Sequence, residues 1–370
     1  MPEDPTASQR YRLPSLTDKG ALARLAAIGA AVFATAGCFA YVAGWLSPGR
    51  LTQARFIDRF EQVNGIHAGF RRNHAKGVCV TGRFESNGNA ERLSKAAVFR
   101  PGGVEVVGRF ALAGGHPDMA DAPMAVRSMA LSFRPLDGEE WRTGMNNIPV
   151  FVVKDAEGFY EQLRASQPEP ATGKPDPAKM AAFAAAHPEF APAMKVITST
   201  PKASGFANAS YNSLHAFLFV NAAGAATPVR WSMTATEPFA PEAPEQAKSE
   251  DKNYLFDDLS ARLMRGPLQW HLIVTIGQPG DATGDATVPW PDDREHIDAG
   301  TLTIDHAESE APGSCRDINF DPLVLPSGIE PSDDPLLSAR SATYSESFRR
   351  REREKKTPSA VQIPAAGRGS

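Results

Sequence analysis

The chain of 370 residues reads as an α+β body of roughly eight antiparallel strands with helices packed outside, preceded by one membrane-spanning helix. Three observations predict it. An uncharged apolar run stands near the amino terminus. Beyond it, short runs with an apolar period of two recur between Gly, Pro, Asn and Asp. A long Pro- and Ala-rich crossing segment divides those runs into two sets.

The apolar run extends from Leu25 to Leu46, about 22 residues, which is enough to cross a bilayer. Arg10, Arg12, Lys19 and Arg24 precede it, and Tyr41 and Trp45 sit near its far end. Basic residues before a span and aromatics at its end predict an inner-membrane, single-pass anchor over 21–47, with the amino terminus inside and the body extracytoplasmic (periplasmic). A cleaved signal peptide is the competing reading, but its apolar region usually covers about 7–15 residues. Residues 1–20 are polar and read as a disordered cytoplasmic tail.

The body starts near Leu51, where Leu51, Phe56, Ile57 and Phe60 have helical spacing. Strand-like runs follow at Gly77–Phe84, Glu105–Leu112, Met129–Phe133 and Pro149–Lys154, then at His215–Asn221, Val229–Thr234, Leu268–Ile276 and Thr301–Asp305. Such a set suits a closed barrel as well as a sandwich. Between the two groups, Pro168 to Ala203 holds a helix at about Pro177–Ala186, and Gly277–Glu295 is a Pro/Gly/Asp-rich loop. Near the end, Asp334 can cap a helix whose first turn accepts Pro335 and which continues through Tyr344. The folded domain is placed at 51–351. Residues 352–370 continue a charged, then Pro/Gly-rich run from Arg349 that is expected to fray.

A formal net charge of −4 offers no basic excess to neutralise phosphates, which argues against nucleic acid as a partner. Of three cysteines, Cys38 lies in the apolar run, so the body has at most one intrachain disulfide, and no zinc-ligand spacing exists.

Four local features can carry chemistry. His74-Ala75-Lys76-Gly77 closes the basic stretch Arg71-Arg72-Asn73 just before a strand. Asn146-Asn147-Ile148-Pro149 likewise precedes one. Arg109 lies inside a strand, and Arg340 and Tyr344 stand four apart on one helix face. Singly, each has an ordinary structural reading as a core histidine, a turn, a solvated arginine or surface packing.

In order, they resemble the monofunctional haem catalases. His74-Ala75-Lys76-Gly77 with Thr81-Gly82-Arg83-Phe84-Glu85 is similar to the motif of the family's distal histidine. Gly144-Met145-Asn146-Asn147-Ile148-Pro149-Val150-Phe151 resembles the distal asparagine motif, with the second Asn taken as the functional one. Tyr211-Asn212-Ser213-Leu214-His215-Ala216-Phe217, Asn319-Phe320-Asp321-Pro322 and Pro326-Ser327-Gly328-Ile329-Glu330 continue the match. Arg340-Ser341-Ala342-Thr343-Tyr344 resembles the R-x-x-x-Y ligand motif.

The resemblance implies a catalase-like fold, an eight-stranded antiparallel barrel with haem, taken as haem b, between barrel and proximal helix. Tyr344 is then the axial iron ligand with Arg340 as its partner, since both the iron and the guanidinium favour a phenolate. His74 is the general acid/base and Asn147 orients the peroxide. Arg71, Arg109 and Arg351 stand where the family pairs guanidiniums with haem propionates, and Phe159 packs over the distal face.

Some positions depart from the pattern. Asn73 and Ala111 replace an aliphatic residue and a serine that supports the histidine, and neither a long amino-terminal arm nor a carboxy-terminal helical domain is present. These changes point to the smaller catalase-related peroxidases. The implied activity is reduction of hydrogen peroxide or organic hydroperoxides by small organic electron donors, with residual catalase activity, in a monomer or homodimer. The alternatives are an enzyme that rearranges fatty-acid hydroperoxides and a non-catalytic haem-binding or sensing module.

Overall fold

The computed structural model describes residues 19–42, 45–46, 50–122, 125–136, 138–242 and 251–363. The chain forms two compact units, Met1–Thr52 and Gln53–Ser370. Most of the expected amino-terminal tail (1–18) and the last residues of the expected carboxy-terminal tail (364–370) lie outside the described residues.

In the first unit, helix α1 (Lys19–Val42) buries none of its residues. Its mean hydropathy of 1.9 over 18 residues and its rise of about 1.5 Å per residue suffice to cross a bilayer. A secretory signal sequence would pass the same test.

The second unit opens with α2 (Gln53–Asn64), whose Phe56, Ile57 and Phe60 are buried at the spacing the sequence predicts. The strands follow as β1 (Gly77–Ser86), β2 (Gly102–Leu112), β3 (Arg127–Arg134) and β4 (Trp141–Asn146), then helices α3 (Ala156–Ala165), α4 (Pro177–Ala186) and α5 (Phe190–Ser199). After these come β5 (Tyr211–Asn212), β6 (Phe217–Val220), β7 (Ala226–Ala235), α6 (Tyr254–Leu263), β8 (Leu268–Ile276), β9 (His296–Glu308), β10 (Ile329–Pro331) and α7 (Pro335–Glu352). All pairings are antiparallel. The order β7-β5-β4-β3-β2-β1-β9-β8 returns to β7, so these strands close an eight-stranded barrel, while β6 and β10 extend from β7 beside β5. Closure removes the sheet edges.

Alternate strand residues fill the barrel with aromatic rings, among them Phe84, Phe110, Phe133, Trp141, Tyr211 and Trp270, all fully buried. Phe133 and Trp141 stack at 4.7 Å, and truncating such a ring to Ala costs about 3–5 kcal/mol. Two of the buried polar tips are met, Tyr211 Oη donating to the Phe206 carbonyl at 2.8 Å and Trp231 Nε1 to Thr143 Oγ1 at 3.1 Å, whereas the buried Trp141 Nε1 has no hydrogen-bond partner.

Three expectations need correction. The run Pro149–Lys154 is not a strand; Trp141–Asn146 takes that place in the barrel. The run is apolar because Val150 packs with Ile148, Ala193 and Ile197, and Val153 with Ala165 and Phe183, beneath the helices. A short apolar run has no period that separates these outcomes. The strand expected from His215 begins at Phe217, because Leu214 takes a φ of 65° and divides β5 from β6. Finally, α7 continues to Glu352, and 353–363 do not fray. Val361 is fully buried, the Ala311 N–H donates to Ser359 Oγ at 2.6 Å, and the Ile363 N–H to Ser309 Oγ at 2.8 Å.

A disulfide joins Cys79 in β1 to Cys315 beyond β9, as the one intrachain bridge the sequence allows. It closes a separation of 236 residues, which in the chain-entropy account removes about 5 kcal/mol of unfolded-state freedom.

Candidate active site

Three neighbouring strands form one wall of a cavity outside the barrel core. Their register places Ala111, Ser128 and Asn146 side by side, and two residues along it aligns Arg109, Ala130 and Gly144. Because side chains on directly paired positions share a face, these two rows face one space, and all six residues line it. Gly144 faces the Arg340 guanidinium, and a β-carbon there would stand 3.4 Å from Arg340 Nη2, an ordinary van der Waals contact. Opposite elements supply Phe56, Ile57 and Phe60 from α2, Phe159 from α3, and Arg340, Tyr344 and Arg351 from α7. The cavity holds about 1300 Å³, counting the part open to solvent.

His74 reaches this space from the turn before β1, with a backbone φ of 54°. A left-handed non-glycine residue costs on the order of 1–2 kcal/mol. Asn73 holds the turn: its Oδ1 accepts from the His74 N–H at 3.0 Å and the Gly114 N–H at 2.8 Å. Burial, with Arg109, Arg340 and Arg71 nearby, lowers the His74 pKa to about 3, so the ring is neutral at ordinary pH. Its Nδ1 lies 2.9 Å from Ser128 Oγ, and that hydroxyl donates to Asn146 Oδ1 at 2.5 Å.

Asn146, and not Asn147, lines the cavity. Asn147 is spent on the backbone: its Oδ1 accepts from the Arg127 N–H at 2.9 Å and its N–H donates to the Arg127 carbonyl at 2.9 Å. Asn147, expected to orient the peroxide, is thus engaged with the Arg127 backbone, and its neighbour Asn146 is the one that lines the cavity. Sequence reading also missed Ser128, which supplies the hydroxyl that Ala111 lacks from the position directly across the ladder.

On α7, Asp334 caps the helix by accepting from the Leu336 N–H at 2.8 Å, with Pro335 in the first turn as predicted. Arg340 Nη2 donates to Tyr344 Oη at 3.0 Å. Asp334 also accepts from His215 Nδ1 at 2.7 Å, and both side chains are at most 1% exposed. Burial and the nearby Arg340 charge outweigh this carboxylate and lower the His215 pKa to about 4.

One end of the cavity is cationic. Arg71 and Arg109 both donate to Glu310 Oε1 at 2.7 Å, and Arg109 also reaches Oε2 at 3.0 Å. Gly77 permits this, because a β-carbon there would meet the Arg109 guanidinium at 2.5 Å. Arg351 donates to the Arg316 carbonyl at 2.9 Å. Burial and the adjoining guanidiniums push Arg71 well below its ordinary range. Burial raises the Glu310 carboxyl, but Arg109 and Arg71 outweigh it and hold it below its usual range. Three guanidiniums, Arg109, Arg71 and Arg351, act on the one buried carboxylate of Glu310, while Asp317 and Glu352 also face Arg351. Arg71 and Arg109 share that single carboxylate, so this buried cluster suits an anionic partner. The two carboxylates of a haem match it, the apolar wall matches a porphyrin, and Tyr344 presents a phenol oxygen to the same space, so the residues present fit that group.

The sequence matches the family model described as Catalase over residues 41–365. It is 37% identical over 303 residues to a "Catalase-related peroxidase" of Synechococcus elongatus, covering 82% of this chain and 89% of that one. A "Catalase-related peroxidase" of Mycolicibacterium paratuberculosis is 31% identical over 304 residues, covering 82% and 96%. Among solved structures, a fungal catalase superposes with a TM-score of 0.70 at 21% identity, covering 77% of this chain and 59% of that one. Catalase A of Saccharomyces cerevisiae gives 0.69 at 20%, covering 80% and 65%. These two likenesses show the fold, and the chain spans roughly three fifths of each. The chain belongs to the Catalase family, and with it to the oxidoreductases that act on peroxide, as its motifs predict.

Proposed function

We propose that this chain is a haem-dependent peroxidase in which Tyr344 is the tyrosinate ligand of the iron and His74 the acid/base that works on the bound peroxide. The observation that carries it is a single cavity lined by a neutral histidine with an asparagine, an Arg–Tyr pair on a capped helix, and a buried cationic end. Arg71, Arg109 and Arg351 would hold the propionates, and Phe159 would pack over the ring.

Haem, when bound, supplies the two-electron redox chemistry, and tyrosinate ligation is the catalase-type way of holding its iron. The protein's part is proton movement. Neutral His74 takes the proton from the near peroxide oxygen and returns it to the departing one, which leaves as water or alcohol. The pKa near 3 keeps the ring in its basic form at the start of each cycle. Asn146, in the role first expected of Asn147, donates a hydrogen bond that orients the peroxide. Two electrons from small organic donors complete the reduction. Haem b is the proposed form.

We also propose that α1 is a single-pass inner-membrane anchor and that the body is extracytoplasmic. The Cys79–Cys315 disulfide supports this, because such bonds persist in oxidising compartments. The function is tested by peroxide-dependent oxidation of an aromatic donor with the haem-loaded full-length chain. His74→Gln should keep the haem spectrum and lose about 10²–10⁴ in rate. Undiminished turnover removes His74 from the mechanism.

A further inference from the structure

His74 and Asn146 come from different parts of the chain, a turn before β1 and the end of β4. One side chain touches both. Ser128 Oγ lies 2.9 Å from His74 Nδ1 and 2.5 Å from Asn146 Oδ1. A hydroxyl has one proton to give. The 2.5 Å contact has the length of an O–H···O bond and is too short for an N–H···O bond, so the proton goes to Asn146 and the amide oxygen accepts it. What remains to Ser128 Oγ is to accept, and the neutral imidazole must then carry its proton on Nδ1.

We infer that Ser128 is the positioning residue of the distal pair: its hydroxyl fixes the Nδ1–H tautomer of His74 and the orientation of Asn146 together. The inference rests on the peroxidase reading of this site. Two consequences follow from the fixed direction of these bonds. The Nε2 lone pair of His74 is available as the base, and the Nδ2 amide of Asn146 is available as the donor. With the opposite tautomer His74 would offer a proton where the reaction needs a lone pair. The position is set by sheet register, with Ser128 paired to Ala111 on one side and to Asn146 on the other. Ser128 is 8% exposed, so bulk water does not readily replace its hydroxyl. The charged groups around this trio are Arg109, Arg340 and Arg71. None accepts a hydrogen bond, so none offers the imidazole an alternative partner for its proton.

The test is the association rate of cyanide with the haem-loaded full-length chain, followed by its optical spectrum. Cyanide enters as the neutral acid and must give its proton to a distal base, so the rate reads the lone pair on His74 without turnover. Ser128→Ala should slow association by about tenfold or more, the usual effect of losing an outer partner that orients an acid/base or ligand. Ser128→Thr, and the double variant Ala111→Ser/Ser128→Ala that moves the hydroxyl one strand across, should each recover most of the rate. If Ser128→Ala matches the wild type while His74→Gln is slow, the inference is overturned and the functional reading stands. If both match the wild type, the His74 reading falls and takes the inference with it. A slow Ser128→Ala that neither hydroxyl-bearing variant rescues also overturns it, because packing would then be the cause. The wild type supplies a check that needs no variant: ring ¹⁵N shifts in the full-length protein without haem should report Nδ1–H and a bare Nε2 for His74. The reverse tautomer overturns the inference whatever the variants do.

Discussion

At the scale of residues, the site depends on which of two adjacent asparagines faces the cavity. Asn146 does, because β4 alternates and its even-numbered positions Gly144 and Asn146 face away from the ring stack. Asn146→Ala should therefore lower peroxidase turnover at least about tenfold while leaving the fold intact, the loss expected when one preorganised donor is removed. Asn147→Ala should instead cost about 1–3 kcal/mol of stability by stranding the Arg127 N–H, with a smaller effect on rate. Measured side by side, the reverse pattern would return the role to Asn147. The sequence reading took the second asparagine, Asn147, and there is a physical reason why sequence alone does not choose between the two. A strand's phase decides which of two neighbours points where, and the expected strand was placed at 149–154 instead of 141–146. Arg340 and Tyr344 were easier to read, because helical spacing brings them together without any long-range information. Ser128 and Glu310 carried no local signal. Ser128 meets His74 across 54 residues and Glu310 meets Arg109 across 201, through strand pairing that no window of sequence displays.

At the scale of elements, helix α7 supplies one wall of the site and the segment after it packs back onto the body. The capping residue Asp334, the Pro335 first turn and the Arg/Tyr face were all legible, since each is a local preference. The packing of 353–363 was not, because Thr357 Oγ1 donates to the Ala68 carbonyl at 3.0 Å and Glu354 accepts from the Gly69 N–H at 2.8 Å, contacts made to a remote segment. The Cys79–Cys315 bridge ties β1 to the segment after β9, beside the carbonyls of Cys315, Arg316 and Ile318 that receive Arg71. Cys315→Ser should lower stability by about 2–5 kcal/mol, seen as an earlier urea midpoint. It should also loosen Arg71 and with it the retention of haem. A midpoint equal to that of the wild type would mean the bridge constrains little.

At the scale of the whole molecule, two buried neutral histidines, His74 in the cavity wall and His215 against Asp334, make the fold sensitive to acid. Burial lowers His74 to about 3 and His215 to about 4, from 6.5 in each case. Both groups are neutral in the folded and unfolded chain above about pH 6.5, so stability is full there. As pH falls below that value the unfolded chain takes up protons that the folded one refuses, and stability is lost progressively toward about pH 4. Thermal melts followed by circular dichroism should therefore fall steeply between about pH 7 and about pH 4.5, and His74→Gln should flatten part of that slope. A flat profile would mean that the two rings protonate in place.

The barrel itself was readable as a set of strands of period two, and its closure followed from resemblance and not from spacing. The amino-terminal apolar helix was readable from composition alone. The central claim joins that barrel to a tyrosinate-held haem, and an absorption spectrum of the haem-loaded full-length chain, taken beside that of Tyr344→Phe, addresses it most directly. The account predicts a high-spin ferric spectrum in the wild type that is lost or clearly shifted in Tyr344→Phe. A chain that takes up no haem, or a variant spectrum identical to that of the wild type, would contradict it.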